Sequence, residues 1–172
     1  YGIFACNGIL FNHESPIRGE TFVTKKIIEG LVKIKKGRQK KLFLGNLYSK
    51  RDWGHAKDYV EAMWKMLQQK KPDDYVIGTG KTFTIKDFVN KSAKKIGFNL
   101  KWVGKGIQEK AINIENKKVI IECKKRYFRP LEVDFLRGNA FKAKKLLKWS
   151  PKLSINNLIN EMIQHEIDIS ND

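Results

Sequence analysis

Cysteine, proline and arginine are scarce in this sequence, and long apolar runs are absent. The 172 residues include four prolines and two cysteines, Cys6 and Cys123. Two cysteines without a CxxC spacing exclude the common zinc signatures, and their apolar neighbours predict two buried thiols in a reducing compartment rather than a disulfide. No apolar run approaches the ~18 residues that a membrane span requires. We therefore expect no metal site, no membrane contact and a cytoplasmic location.

The start of the chain also lacks the features of a targeting segment. The sequence begins at Tyr1, and the apolar residues that follow have neither a basic segment before them nor a small-residue cleavage site after them. We therefore expect no signal peptide. Since the first residues already have the composition of an interior strand, we expect the chain to be part of a longer protein.

Acidic residues are few, and the formal net charge is +17, from 35 basic and 18 acidic residues. Such an excess allows binding to nucleic acid through phosphate neutralisation. However, 29 of the basic residues are lysines dispersed over predicted helices and loops, and the aromatic residues lie at core spacings. A solvated lysine-rich surface is the preferred interpretation, and we expect no nucleic-acid partner. A basic nucleic-acid-binding module remains the alternative from a different functional class.

Predicted strands and helices alternate along the chain, which is typical of an α/β fold. A near-continuous apolar run predicts a fully buried strand at residues 2–11. The polar segments 50–54, 104–118 and 126–132, the last around Pro130, are predicted as loops. Further strands are predicted at 41–44, 75–77, 100–103 and 119–122, and helices at 21–36, 56–69, 84–96, 139–148 and 154–167. No glycine-rich GxGxxG turn is present.

The most informative stretch is the polar segment between the first predicted strand and the first predicted helix. Asn12, His13, Glu14, Ser15 and Arg18 supply hydrogen-bond donors and acceptors within seven positions. In α/β folds, ligands bind beyond the carboxyl ends of the strands, where such a segment lies. The alternative is an ordinary polar surface loop, because loops are generally polar.

The sequences of five segments resemble those of one protein family. The phrases NGILFNHESP, RGETFVTKK, LGNL, KRDWGHAKDYVEAMW and RYFRPLEVDFL resemble, in the same order, segments of GDP-mannose 4,6-dehydratases. These enzymes belong to the extended short-chain dehydrogenase/reductase superfamily. The resemblance covers nearly the whole chain and is weakest at residues 104–117. It implies that residues 1–172 hold the last strands of a Rossmann-type NAD(P)-binding fold, interleaved with an α/β substrate-binding domain, without the N-terminal cofactor-binding half.

The resemblance also implies an activity. Family members convert GDP-D-mannose to GDP-4-dehydro-6-deoxy-D-mannose, for deoxyhexose nucleotide-sugar synthesis of the GDP-fucose type. A hydride passes from C4 to NADP, water leaves across C5 and C6, and the hydride returns at C6. The family's catalytic Thr, Glu and YxxxK motif match positions upstream of Tyr1, so no catalytic residue is expected in this chain. A homo-oligomer, a dimer or tetramer, is expected of the intact protein. Another NAD(P)-dependent sugar-nucleotide dehydratase, epimerase or reductase is the alternative within the enzyme class.

Binding residues follow from the same resemblance, position by position. Two positions match residues that contact NADP in the family, His13 and Arg18, although Ile17 stands where the family often has a second arginine. The positions that match substrate-binding residues are Asn12, Val23, Lys26, Leu44, Gly45, Asn46, Arg51, Arg129 and Glu132.

The residue types suit these roles, and each also has a simpler structural explanation. Lys26 near a helix N-terminus suits a diphosphate, although it can equally be one of many solvated lysines. Gly45 allows a flat ring to approach the backbone, or makes an ordinary turn. The guanidinium groups of Arg51 and Arg129 suit phosphate, and Glu132 can accept from ribose hydroxyls. The structural alternatives are that Arg51 forms a surface ion pair and that Glu132 lies at the start of a helix, where the helix dipole favours it.

Overall fold

Two compact α/β units make up the chain, and each is assembled from separated stretches of sequence. The computed structural model describes residues 1–129 and 131–170. The first unit comprises Tyr1–Ser15, Lys50–Phe83 and Phe135–Leu158, and the second comprises Pro16–Ser49, Thr84–Asp134 and Ile159–Asp172. The predicted α/β class is therefore confirmed.

The helices and strands alternate along the chain. The helices are α1 (Val23–Lys35), α2 (Ala56–Leu67), α3 (Ile85–Ile96), α4 (Phe141–Leu146) and α5 (Ile155–Ile169). The strands are β1 (Gly8–Leu10), β2 (Asn12–Glu14), β3 (Leu42–Leu44), β4 (Lys50–Arg51), β5 (Trp53–His55), β6 (Tyr75–Ile77), β7 (Phe83–Thr84), β8 (Leu100–Val103), β9 (Lys110–Asn113) and β10 (Val119–Cys123). Single 3₁₀ turns lie at Gly106–Gln108 and Lys125–Tyr127.

The helix predictions are confirmed, because local sequence signals determine where these helices begin and end. In α3, Thr84 and Asp87 form a reciprocal capping box, and Gly97 ends the helix in the left-handed conformation, at φ 90°. Asn139 accepts a hydrogen bond from the Phe141 amide at the start of α4. Ser154 accepts one from the Asn157 amide at the start of α5. Helix α4 is shorter than predicted and ends at Leu146.

Several polar segments predicted as loops form strands instead. The segment 50–54 contains β4 and most of β5, the segment 104–118 contains β9, and the polar segment after residue 11 contains β2. β2 pairs in parallel with β5, with Asn12 opposite Trp53 and Glu14 opposite His55. Backbone hydrogen bonds to a distant strand hold these residues, and periodicity within the segment itself does not reveal such a partner.

The prediction of a fully buried strand at residues 2–11 is wrong. The strand covers Gly8–Leu10 alone, and among the described strands it pairs only with β6, in parallel. Its outward residue Ile9 is 58% exposed, and Ile3 and Phe4 before it are also exposed. Helix α2 likewise leaves Val60, Trp64 and Leu67 exposed. Apolar composition therefore does not lead to burial here, because no described element covers these side chains.

Each unit nevertheless has its own core. In the first unit, side chains from α2, β6 and α4 surround Trp149, whose indole N–H donates to the Asp58 carbonyl at 2.8 Å. In the second unit, a four-stranded sheet has the order β3-β10-β9-β8, with β3 and β10 parallel and the other pairs antiparallel. Helices α1 and α3 contact each other and this sheet. Their buried side chains include Ile27, Ile28, Leu31, Phe88 and Val89.

The two cysteines are expected to differ in reactivity. Both are free thiols, but Cys123 is buried whereas Cys6 is half-buried, so the prediction of two buried thiols is wrong for Cys6. Burial raises the pKa of the Cys123 thiol to about 11, and the nearby Glu109 carboxylate adds to this shift. At about pH 8, only about one Cys123 thiol in a thousand is therefore ionised.

Mass spectrometry after iodoacetamide treatment is expected to find alkylated Cys6 while Cys123 stays unmodified. Both should react when the chain is unfolded in urea, which provides the control. Equal labelling rates of the two thiols in the native chain would contradict the assignment.

Candidate functional site

Three of the predicted binding residues lie on the paired strands of the first unit. Asn12 and His13 belong to β2, and Arg51 ends β4, two positions before the Trp53 that pairs with Asn12. All three side chains are half-buried. The parallel pairing of β2 with β5 fixes the positions of the Asn12 amide and the His13 imidazole, and Arg51 lies on β4, directly before β5 in the sequence.

The imidazole of His13 is held on two sides. Its Nδ1 lies 3.0 Å from the Phe11 carbonyl oxygen, so in the neutral ring Nδ1 carries the proton and donates. The ring lies 5.0 Å, centroid to centroid, from the ring of Tyr59. These contacts leave Nε2 as the acceptor that His13 can present to a ligand.

Tyr59, which supports His13, is itself unusual. Its ring is fully buried and makes an edge-on contact with Trp149. Its hydroxyl has no hydrogen-bond partner among the described residues. Burial raises the pKa of this phenol far above its ordinary value, and the nearby Asp52 and Asp58 carboxylates add to the shift. Tyr59 therefore stays neutral and acts through its ring.

The second unit presents an anion-binding arrangement at the start of α1. The N-cap residue Phe22 has no side chain able to cap, and the first turn contains no acidic residue. The helix dipole favours an anion at such an end. Just before the helix, the Arg18 guanidinium carbon lies 3.4 Å from the centroid of the Phe22 ring. Val23, the first residue of α1, is half-buried.

Lys26 completes this first turn and is covered by an aromatic ring. Its ammonium lies 3.5 Å from the centroid of the Tyr127 ring, a close cation–π contact. Arg126 donates to the Tyr127 hydroxyl at 2.8 Å. Burial lowers the pKa of the Lys26 ammonium from its ordinary value. Lys26 is thus a partly desolvated cation beside a helix N-terminus, rather than a freely solvated lysine.

The LGNL segment, residues 44–47, begins with the last residue of β3. The Leu44 side chain is buried, so only its backbone is available to a ligand. At Gly45 the close neighbour is protein backbone: a Cβ atom there would lie 2.1 Å from the Tyr127 carbonyl oxygen. The Asn46 Oδ1 accepts from the Tyr48 amide at 2.9 Å. Gly45 therefore allows the Tyr127 segment to approach, which brings Tyr127 against both Gly45 and Lys26.

Replacing Gly45 by alanine is expected to destabilise the second unit by about 1–3 kcal/mol, because the added methyl group meets three linked backbone atoms of Tyr127 and Phe128. The matched control is Gly19→Ala, whose Cβ would meet only the Phe22 side chain at 3.6 Å, an ordinary contact. That variant should change stability by less than about 0.5 kcal/mol. Urea unfolding of both variants checks the difference, and equal midpoints would contradict it.

Arg129 and Glu132 lie on either side of Pro130, which is outside the described residues. Arg129 is exposed and Glu132 is half-buried. The described residues contain no group of three or more histidine, cysteine, aspartate or glutamate side chains arranged to hold a metal ion. Over the same residues, no helix has the length and apolar character needed to cross a bilayer.

Sequence reasoning missed three residues of this arrangement. Phe22 lies against Arg18, Tyr127 covers the Lys26 ammonium, and Arg126 donates to the Tyr127 hydroxyl. One signal was available: in RYFRP, aromatic residues lie directly between two of the six arginines. A guanidinium group stacks readily on an aromatic face, so such spacing can mark a cation–aromatic cluster.

Comparison with known proteins matches this chain to one family. The family model described as GDP-mannose 4,6 dehydratase matches residues 1–162. A GDP-mannose 4,6 dehydratase of Dictyostelium discoideum is 52% identical over 168 residues, which cover 98% of this chain and 47% of the relative. GDP-mannose 4,6 dehydratase 1 of Arabidopsis thaliana is 51% identical over 170 residues, 99% of this chain and 42% of the relative. The chain spans about half the length of these relatives. Neither alternative raised from the sequence is favoured by these matches.

Solved structures share the fold at low sequence identity. The RMD protein of Pseudomonas aeruginosa, solved with NADPH, superposes with a TM-score of 0.79 at 17% identity, over 98% of this chain and 50% of that one. The dTDP-glucose 4,6-dehydratase of Bacillus anthracis, solved with NAD, gives a TM-score of 0.72 at 19% identity, over 96% of this chain and 45% of that one. The expected Rossmann-type fold class is thus confirmed.

Proposed function

Because this chain belongs to the GDP-mannose 4,6-dehydratase family, we propose that it is the substrate-binding part of an enzyme that converts GDP-D-mannose to GDP-4-dehydro-6-deoxy-D-mannose. The observation that carries the proposal is the start of α1. Arg18 and Lys26 flank a helix N-terminus whose N-cap residue, Phe22, provides no capping side chain, an arrangement suited to phosphate groups. The resemblance and this arrangement of two cations both support the proposal.

The proposed roles of this chain are binding and orientation. In the second unit, Lys26 and Arg129 are proposed to bind phosphate groups of the substrate, and in the first unit Arg51 is proposed to do so. Asn12 offers its amide to the sugar, Val23 lines the site, Glu132 accepts from ribose hydroxyls, and Leu44, Gly45 and Asn46 contact the nucleotide part. The catalytic Thr, Glu, Tyr and Lys belong to the half of the enzyme that this chain does not match.

NADP is the proposed cofactor, and two residues of this chain fit it. The His13 Nε2 is available as an acceptor because Nδ1 is engaged by the Phe11 carbonyl. The Arg18 guanidinium carbon lies 3.4 Å from the centroid of the Phe22 ring, and a guanidinium fork suits a phosphate. When bound, the cofactor supplies reversible storage of a hydride. This chain's proposed part is to contribute cofactor-binding side chains.

Calorimetric titration of the purified chain with nucleotide sugars tests the substrate. We expect binding of GDP-mannose and weaker binding of UDP-glucose and dTDP-glucose. Lys26→Met and Arg51→Met are each expected to weaken GDP-mannose binding about tenfold, the effect of one charged hydrogen bond. The charge-matched controls Lys33→Met and Arg38→Met replace exposed cations outside the proposed site and should leave the affinity unchanged. A preference for UDP- or dTDP-sugars would reject GDP-mannose as substrate.

We also propose that the chain is the C-terminal half of its enzyme. The relatives contain about as much sequence again. Strand β1 has one described neighbour, and Ile9, Val60, Trp64 and Leu67 are exposed. A cofactor-binding half that adds a parallel strand beside β1 and packs on α2 accounts for both features.

Co-expression with the upstream half of the Dictyostelium relative tests the division of the enzyme. The two polypeptides are expected to copurify, and Trp64→Lys is expected to abolish this. Ile107→Lys, an equally exposed apolar position in the second unit, should not. Failure of the unmodified pair to associate would contradict the proposal.

For the intact protein we propose a homo-oligomer, and light scattering measures its mass. We also propose a cytoplasmic location, and the two free thiols agree with a reducing compartment.

A further inference from the structure

The segment between β8 and β9, for which the sequence predicts no role, contains a buried carboxylate. Glu109 follows the 3₁₀ turn Gly106–Gln108 and is 3% exposed. A carboxylate is rarely buried to this extent unless it is paired, because desolvation strongly disfavours its charge. The partners of Glu109 therefore indicate what the segment is for.

Glu109 binds two side chains from distant parts of the second unit. The Tyr48 hydroxyl lies 2.9 Å and 3.0 Å from its two carboxylate oxygens. The Lys86 ammonium donates to Oε1 at 2.6 Å. The same ammonium lies 5.4 Å from the Tyr48 ring centroid and 4.8 Å from the Trp102 ring centroid. Glu109 thus fixes the Tyr48 hydroxyl beside a cation that two aromatic rings enclose.

Tyr48 belongs to the segment 44–49, which holds three of the proposed substrate-binding residues. Backbone hydrogen bonds anchor this segment at several points. The Leu44 carbonyl accepts from the Lys124 amide at 2.9 Å, and the Leu47 carbonyl accepts from the Lys86 amide at 2.9 Å. Within the same segment, the Tyr48 amide donates to Asn46 Oδ1 at 2.9 Å. The orientation of the Asn46 side chain therefore depends on where Tyr48 is held.

We propose that Glu109 is a positioning residue for nucleotide-sugar binding, acting through Tyr48 on Asn46. This inference rests on the proposed function. With Oδ1 of Asn46 engaged by the Tyr48 amide, the side chain presents its two N–H donors to the ligand. It thereby selects an acceptor atom of the nucleotide part, a carbonyl or phosphate oxygen. The segment between β8 and β9 supplies the carboxylate that keeps this arrangement in place.

Calorimetric titration of the chain with GDP, the nucleotide part of the proposed substrate, tests the inference. Glu109→Gln and Tyr48→Phe are each expected to weaken GDP binding about fivefold to tenfold, the effect of losing about one hydrogen bond. The double variant is expected to be no weaker than the single ones, because both changes break the same connection. The Asn46 side-chain amide resonances should shift in both variants, as measured by ¹⁵N-correlated NMR.

Two measurements separate positioning from a general loss of structure. Tyr48→Phe removes one hydroxyl from a half-exposed ring, so its circular dichroism and unfolding midpoint should stay close to those of the unmodified chain. Glu115→Gln removes the same charge from the turn at the other end of β9, where Glu115 accepts from Asn99, and should leave GDP affinity unchanged.

The outcomes distinguish the two proposals. Unmodified chain that binds GDP, with Glu109→Gln and Tyr48→Phe binding equally well, overturns the positioning role alone. Additive losses in the double variant also overturn it, since Glu109 and Tyr48 would then act independently. Absence of GDP binding by the unmodified chain overturns the proposed function, and the inference that depends on it.

Discussion

Replacing Asp52 by alanine is expected to lower the free energy of unfolding of the first unit by about 3–5 kcal/mol. Asp52 is fully buried and accepts four hydrogen bonds. Oδ1 accepts from the Thr79 amide and hydroxyl at 2.9 Å and 2.5 Å, and Oδ2 accepts from the Gly80 and Gly138 amides at 2.9 Å and 3.0 Å. Alanine would leave these donors, among them the buried Gly138 amide, without their acceptor.

Urea unfolding followed by tryptophan fluorescence measures this effect, because Trp53 and Trp149 are buried in the same unit. Asp52→Asn is expected to fall between the unmodified chain and Asp52→Ala, since an amide keeps one acceptor oxygen and turns a donor toward the others. Asp134→Ala, at an exposed position, is the control and should be close to neutral. A loss below about 1 kcal/mol for Asp52→Ala would show that the four donors find other partners.

The second large effect is expected from Glu166→Ala in the second unit, again about 3–5 kcal/mol. The Lys25 ammonium donates to Glu166 Oε2 at 2.6 Å, and the two side chains are only 9% and 7% exposed. Lys25 also donates to the Pro16 carbonyl at 3.3 Å. Removing the carboxylate leaves a buried cation without its counter-ion, which costs far more than a surface pair is worth.

A double replacement distinguishes the unpaired charge from lost packing. Lys25→Met with Glu166→Leu removes both charges and is expected to recover most of the stability that Glu166→Ala loses. The control is Glu29→Ala on α1, the helix that also carries Lys25. This change breaks the exposed pair with Lys33 and should alter stability by less than about 0.5 kcal/mol. Urea unfolding followed by circular dichroism compares the variants. A double variant as unstable as Glu166→Ala would contradict the unpaired-charge explanation.

The helices could be predicted from sequence because their determinants are local. The apolar stripe of α1, the Thr84–Asp87 capping box and the left-handed Gly97 all act within a few residues of the helix that they define. The strands β2, β5 and β9 could not be predicted. Their polar or aperiodic residues are strands only because a partner lies far away in sequence, as His13 faces Gly54.

The candidate site likewise has some features that could be predicted from the sequence and others that could not. Resemblance supplied a set of positions, and residue chemistry made Lys26 and Arg18 plausible anion ligands, but neither indicated that Tyr127 covers the Lys26 ammonium. The space required at Gly45 was foreseen, yet its occupant is the Tyr127 backbone. The connection from Glu109 to Tyr48 spans 61 residues and appears in no local pattern. Contacts of this kind require the fold.

Each of the two units is built from separated stretches of sequence, and this determines when each can fold during synthesis. Asp52 gains its hydrogen bond from the Gly138 amide only after Gly138, 86 residues later, has been synthesised. Lys25 gains its ion pair only after Glu166, 141 residues later, has been synthesised. Contacts of such long range slow folding and keep apolar surface open in the meantime. A nascent chain that ends before residue 135 lacks a stretch of each unit. Both units therefore complete their folding late, as the last quarter of the chain leaves the ribosome.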